Sequence, residues 1–361
     1  MASRARRTNR KPKRSSTSTL ISGPPLAEHA ALPLFNIASS LLAYLPAAIL
    51  AHLHTLLSVA AEKRKLQLQE QRRPHKLAEP VQAALKKSRN GRQLISFDDL
   101  PPAWQGTPFI KSGYRFIPLE RFSALLLSMF TPHNEFLNIQ THIVAFVYSC
   151  FHWSGGTQDL GETIVLIAGL FCLAASICGH MMSGCSDQHA MQFCNRVDYA
   201  GIAWLLCACN ASLVFYGYAS RPDIAYPFAV VSSFMALAGS ILPFVSWFNR
   251  HEYRYWRISF FVALKVTAIT PVVGIYMLYG LEGMRDFTSP FIRPIFLSAL
   301  GIFFYTNHLP ERFLNPHGKW ATRFNAVGFG SHAIWHVLSA TSILDWASAM
   351  AVVRHSFANR V

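Results

Sequence analysis

Three short stretches hold the residues best suited to chemistry. Ser176-Ile-Cys-Gly-His180, Asp198-Tyr199 and His332-Ala-Ile-Trp-His336 each set ionisable or hydroxyl side chains inside or beside strongly apolar runs. An ionisable group held among apolar residues is costly, so its presence points to a function. His332 and His336 are four apart and share one helix face, where both imidazoles can reach a single ion. Ser176 and His180 share a face in the same way. Three imidazoles would supply the three nitrogens of an open zinc site, with water in the fourth position. Taken singly, each residue has a plainer reading. A histidine on an apolar helix usually packs or hydrogen-bonds, Asp198 reads as the N-cap of a helix, and Ser176 as bonded to a carbonyl one turn back. The case for joining them rests on the elements that carry them.

Those elements belong to a membrane. Of 361 residues 52% are hydrophobic and only 14% charged, whereas a soluble domain carries about 25% charged residues. The apolar residues gather in seven runs near the ~20 residues that cross a bilayer, at 137–155, 161–182, 199–219, 226–248, 258–279, 290–309 and 330–353. Runs four to six contain Pro243, Pro271 and Pro294, which membrane helices tolerate when neighbours satisfy the freed carbonyl. The fold class is therefore all-α, an integral membrane bundle of seven transmembrane helices.

The net charge of +15 belongs mainly to the N-terminal region. Residues 1–30 read as a disordered basic tail, with no apolar stretch following the charges before residue 31 as a secretory signal would need. Residues 31–107 read as a cytoplasmic region, with an apolar helix lying on the leaflet at 31–60 and a basic linker after it. The spacing of Leu119, Phe122, Leu125, Leu126 and Met129 predicts an interfacial helix over 116–130 leading into the bundle. The transmembrane domain spans 108–353, and 354–361 form a short tail. Seven cysteines lie mostly inside apolar runs and form no disulfide framework. With spans following, the basic N-terminal region points to topology and membrane lipids rather than to nucleic acid.

Loop charge sets the orientation. Loops after runs two, four and six carry Arg196, Arg250, Arg254, Arg257, Arg312, Lys319 and Arg323, while those after runs one, three and five carry only Arg221 and Arg285. The N-terminus is thus expected in the cytoplasm and the C-terminus outside. Run two then descends to His180, and runs three and seven rise from Asp198 and from His332 and His336. All four residues fall at one membrane depth. Asp198, besides capping, can hold a water on the ion. His133, His142, His152 and His189 have no matched partners by this test, and Lys265 reads as paired internally or snorkelling. The His332–His336 pair lacks the glutamate of a zincin motif, and no phosphate-binding glycine loop, dinucleotide fingerprint or nucleophile elbow occurs.

These residues carry a resemblance. Lys111-Ser-Gly-Tyr-Arg115, followed by His133-Asn-Glu135-Phe-Leu-Asn138-Ile-Gln-Thr-His142, resembles the first motif of the progestin and adipoQ receptors. That family takes in the adiponectin receptors, haemolysin-III-like proteins and fungal zinc-homeostasis membrane proteins. Ser176-x-x-x-His180 with Val197-Asp198-Tyr199-Ala200-Gly201-Ile202 is similar to its second motif. Pro310-Glu311-Arg312-Phe313 with Ser331-His332-Ala-Ile-Trp-His336-Val is similar to its third. The likeness runs from about 108 to 353. Phe136 stands where threonine is common, Gln140 where tryptophan is, and Gly179 where an aromatic is; none is a ligand, but Gly179 can alter the cavity.

The resemblance implies seven helices, a cytoplasmic N-terminus, and zinc held by His180, His332 and His336 with Asp198 reaching it through water. Through the related alkaline ceramidases it also implies hydrolysis of a ceramide-like lipid amide or ester. Asp198 would then act as general base, and Ser176 would steady the site or the developing oxyanion. The alternative is a signalling receptor in which zinc is structural and a lipid, steroid or extracellular protein ligand shifts the bundle. A pore finds no ring of like charges to support it. The plasma membrane and the endoplasmic reticulum both fit.

Overall fold

The structure, a computed structural model, describes residues 78–152, 159–248 and 251–356. The chain divides into two compact units at Lys76 and Leu77. The first unit, with the tail expected at 1–30 and the leaflet helix expected at 31–60, lies outside the described residues. In the second, helices dominate and the described residues contain no strand, only two isolated bridges.

The second unit opens with a small lobe. Helix α1 (Glu79–Lys87) has proline in its first turn, glutamate at its N-terminus and lysines at its C-terminus, all suited to the helix dipole. It packs with Ile95, Leu100, Trp104 and Phe116 around Met191 of a later helix. Ile95 and Tyr114 pair antiparallel, and Ile117 pairs parallel with Cys185. The helix expected over 116–130 is shorter, a 3-10 turn at Leu119–Arg121 and then α2 (Phe122–Ser128). Pro118 sets its start, because the residues before it are committed to extended pairing.

The bundle follows as α3 (Phe136–His152), α4 (Leu160–Met182), α5 (Gln188–Gly217), α6 (Pro222–Ile241), α7 (Arg254–Val266), α8 (Ile269–Thr288), α9 (Ile292–Asn307), α10 (Lys319–Val327) and α11 (Ser331–Ser356). Among the described residues five helical stretches are long and apolar enough to cross a membrane: Leu160–Met182, Gln188–Gly217, Pro222–Phe244, Arg254–Phe313 and Ser331–Ser356. Phe136–Phe151 is shorter but apolar. In α4, α5 and α11 the apolar windows are 50%, 56% and 44% buried, against 6% in α6. The first three therefore form the centre and α6 the rim. α4 packs along α5, α3 lies between α4 and α11, and α9 covers α11. Large apolar side chains such as Phe151, Phe234 and Met277 point outward, as lipid-facing residues do.

The ends are fixed locally. Asp159 caps α4 by accepting from the Glu162 N–H at 2.9 Å, and Asp187 caps α5 by accepting from the Ala190 N–H at 2.8 Å. Asp198 is thus no N-cap: it lies in the body of α5, which begins at Gln188 rather than at the expected 199. The fifth run is likewise not one rod. It breaks between α7 and α8, and Gly280 has φ 70 inside α8. Glycines bring neighbouring helices close, since a Cβ on Gly201 would lie 3.0 Å from the Cys172 Cα and one on Gly239 only 2.3 Å from the Ala203 Cβ.

Candidate metal centre

His180 lies in the last turn of α4, and His332 and His336 in the first two turns of α11. Their rings converge. The His180 centroid is 4.9 Å from His332 and 4.8 Å from His336, and the latter two are 4.6 Å apart. One ligand nitrogen from each ring lies within 4.8 Å of the others. Around a tetrahedral zinc the nitrogens stand about 3.4 Å apart, given ~2.1 Å bonds, so small side-chain rotations close the set.

Hydrogen bonding fixes which nitrogens are free. The His336 Nδ1 is 3.0 Å from the Asn138 carbonyl. A carbonyl only accepts, so Nδ1 carries the proton and the lone pair lies on Nε2. The His180 Nδ1 is 2.8 Å from Glu135 Oε2, and a carboxylate again makes it the donor. The His180 Nε2 that remains is buried with no hydrogen-bond partner. A buried nitrogen lone pair facing two more imidazoles suits a cation. This is the fit expected of a metal bound by neutral histidines, with a carboxylate behind one of them.

A supporting layer surrounds the three. Glu135 also accepts from Asn138 Nδ2 at 2.5 Å and Asn134 Nδ2 at 3.2 Å. His142 of α3 stacks on His336 at 3.8 Å and 8°. His332 packs edge-on against Tyr305 and Trp335. Arg115, in the lobe's last extended segment, donates to the His180 carbonyl at 2.8 Å and to Ser128 Oγ at 2.6 Å. Glu311 accepts from the Ser331 N–H at 2.7 Å and also pairs with the Ser331 hydroxyl, holding the start of α11. Outside the spans, His133 accepts from the Glu135 N–H and lies against the Ser128 carbonyl, and burial pushes its imidazole down to about 3.

Asp198 and Ser176 form a second pair beside the histidines. Ser176 lies beside the Asp198 carboxylate, and Asp198 interacts electrostatically with His180. A Cβ on Gly179 would lie 3.4 Å from Asp198 Oδ2, so an aromatic neighbour is not what faces Asp198 here; glycine leaves α5 room to approach. Asp198 is not among the three converging ligands.

The structure thus brings His180, His332 and His336 together and sets Ser176 and Asp198 alongside. Sequence reasoning gave no role to Glu135 or to His142, the latter having been read as unmatched. Yet the depth rule reaches both. Glu135 precedes the first turn of α3, and His142 lies within one residue of the same distance into α3 as His336 into α11. Arg115 and Glu311 stood in quoted motifs, but neither spacing nor depth assigned them a role, because each acts on a backbone group and a serine hydroxyl far along the chain. Lys265, by contrast, pairs internally as expected, with Ser298 Oγ.

The chain is similar to known proteins. A family model described as haemolysin-III related matches residues 130–344. An uncharacterised protein of Schizosaccharomyces pombe is 30% identical over 258 residues, covering 68% of this chain and 56% of that protein. This chain therefore aligns with little more than half of that relative's length. The ADIPOR-like receptor IZH1 of Eremothecium gossypii is 29% identical over 263 residues, 68% of this chain and 80% of that one. Heptahelical transmembrane protein 1 of Arabidopsis thaliana is 26% identical over 289 residues, 72% and 84%.

Proposed function

Because this chain belongs to the haemolysin-III-related family, we propose that it is an integral membrane zinc protein that hydrolyses a ceramide-like lipid amide or ester. The observation that carries the reading is the buried, unpartnered Nε2 of His180 facing His332 and His336, with the Ser176–Asp198 pair beside it. Zinc held by three nitrogens supplies Lewis acidity and lowers the pKa of water towards ~7.

The chain's own residues divide the remaining work. Glu135 and the Asn138 carbonyl set the tautomers of His180 and His336. Asp198 takes the proton of the attacking water and returns it to the leaving nitrogen or oxygen, as general base and then general acid. Ser176, beside the Asp198 carboxylate, orients it. Water adds across the carbonyl–heteroatom bond, so the acyl carbon keeps the hydroxyl and the leaving group gains a proton. The products are a fatty acid and a long-chain base or alcohol. A lipid enters from the bilayer, since apolar side chains cover the bundle's outer face.

The same reading assigns seven crossings to α3, α4, α5, α6, the α7–α8 pair, α9 and α11, with the N-terminal region cytoplasmic. The test of function is purified protein with long-chain ceramide, with and without chelator, beside His336→Ala and Asp198→Asn. Fatty-acid release that needs zinc and both residues is expected. Release that is absent, or indifferent to chelation, removes the hydrolase. It would leave the second reading, a receptor with structural zinc, which the word receptor in the name of the Eremothecium relative favours.

A further inference from the structure

Two cysteines on neighbouring helices meet close to the metal centre without belonging to it. The Sγ atoms of Cys178 on α4 and Cys194 on α5 are 3.7 Å apart. All seven cysteines are free thiols. Cys172, Cys185 and Cys207 are buried, whereas Cys178 is exposed and Cys194 half-buried. Cys178 is four residues from the end of α4, and Cys194 is the seventh residue of α5. At 1.5 Å per residue the pair lies about 6–9 Å from the hairpin turn between the helices, within reach of a small polar oxidant. The inner face of the same turn of α4 carries Ser176, Gly179 and His180, so the thiols occupy the outer flank.

We propose that Cys178 and Cys194 are a redox modification site, closed to an α4–α5 disulfide by a hydroperoxide such as hydrogen peroxide. The Cys178 thiolate attacks one peroxide oxygen; the O–O bond breaks, giving a sulfenic acid and hydroxide. The Cys194 sulfur then attacks the sulfenic sulfur. The S–S bond forms, the S–O bond breaks, and the departing hydroxyl leaves as water with the thiol proton. Two thiols lose two electrons and two protons, and one peroxide becomes two waters. A bond of about 2.05 Å needs the sulfurs to approach by less than 2 Å, a shift that side-chain rotation and a small helix adjustment supply. The tie would fix α4 to α5 two residues before His180 and one turn before Asp198, at the place where Gly179 lets the helices close.

The experiment uses the full chain in detergent, treated with hydrogen peroxide, then denatured with N-ethylmaleimide to trap remaining thiols. Trypsin is unsuitable, since no lysine or arginine lies between Arg121 and Arg196. Chymotrypsin cuts after Leu173, Met182, Phe193 and Tyr199 and separates the two cysteines. The expected product is a joined pair, residues 174–182 with 194–199, two hydrogens lighter than the sum of the free peptides. It should vanish with reductant and in Cys178→Ser and Cys194→Ser. Oxidation of exposed Cys150 reports that the peroxide reached the protein. Recovery of Cys178 and Cys194 as maleimide adducts while Cys150 is oxidised overturns the proposal. So does sulfinic acid at Cys178 with Cys194 still alkylated, or either thiol joined to a different cysteine.

Discussion

At the scale of single residues, the centre depends on which nitrogen of each imidazole is free. Glu135 sets this for His180, so Glu135→Gln, which keeps the shape but loses the charge, should weaken zinc binding about 10–100-fold. A competition titration with a chelating dye reads this directly, and unchanged affinity would remove Glu135 from the support of the site. His332→Ala should lower the zinc content per chain, measured by elemental analysis; an unaltered stoichiometry excludes that residue as a ligand. His133 offers a pH test outside the spans. Its imidazole titrates near about 3 when folded and near 6.5 when free, because burial disfavours the charged form. The unfolded chain therefore binds the extra proton first, and stability falls as pH drops below 6.5, by up to about 1.4 kcal/mol per unit. His133→Asn should flatten the pH dependence of Tm between pH 6.5 and 5, and an identical slope would assign the acid sensitivity to other groups. The convergence of His180, His332 and His336 was legible in the sequence, because their spacing and their places at the ends of apolar runs are written in it. Their hydrogen-bond partners were less so, since a backbone carbonyl such as that of Asn138 leaves no mark on residue type.

At the scale of elements, hydropathy located the helices but misjudged two of them. The first eleven residues of α5 include Gln188, His189, Gln192, Asn195 and Arg196, too polar to read as part of a span. They are helical because Asp187 caps them and Met191 is held in the lobe's core. Tertiary packing here outweighs local composition. The fifth run read as continuous because membrane helices tolerate a proline such as Pro271; here Pro271 instead stands in the first turn of α8, just after the break from α7. Packing between helices makes its own prediction. With only 2.3 Å to the Ala203 Cβ, Gly239→Ala must push α6 away from α5, costing about 1–3 kcal/mol by overpacking. A lower Tm in detergent with unchanged zinc content is expected, because α6 takes no part in the centre.

At the scale of the whole molecule, the lobe and the bundle are joined at the turn between α4 and α5. Trp104 Nε1 donates to the Cys185 carbonyl at 2.8 Å, the Ile117 N–H to Gly184 and the Ser186 N–H to Ile117. Arg115 adds its bond to the His180 carbonyl. The orientation inferred from loop charge places this junction on the cytoplasmic side. A protease site inserted near residue 77 should then be cleaved from the cytoplasmic face of sealed vesicles, and one after residue 356 only from the opposite face. Both sites cleaved from one face would refute an odd number of crossings. Composition showed a membrane bundle, but it gave no hint that residues 78–118 would fold against it, since that contact depends on a few long-range hydrogen bonds and on Met181, Met182 and Met191.

The junction has a practical consequence for anyone trimming the gene. The stretch shared with the haemolysin-III-related family starts at residue 130, which makes it a tempting place to begin a shortened version. Such a truncation would strip Met191 of its cover, leave the Gly184 and Cys185 carbonyls without their donors, and remove the guanidinium that steadies the main chain at His180. The smallest version that keeps these supports starts near residue 78.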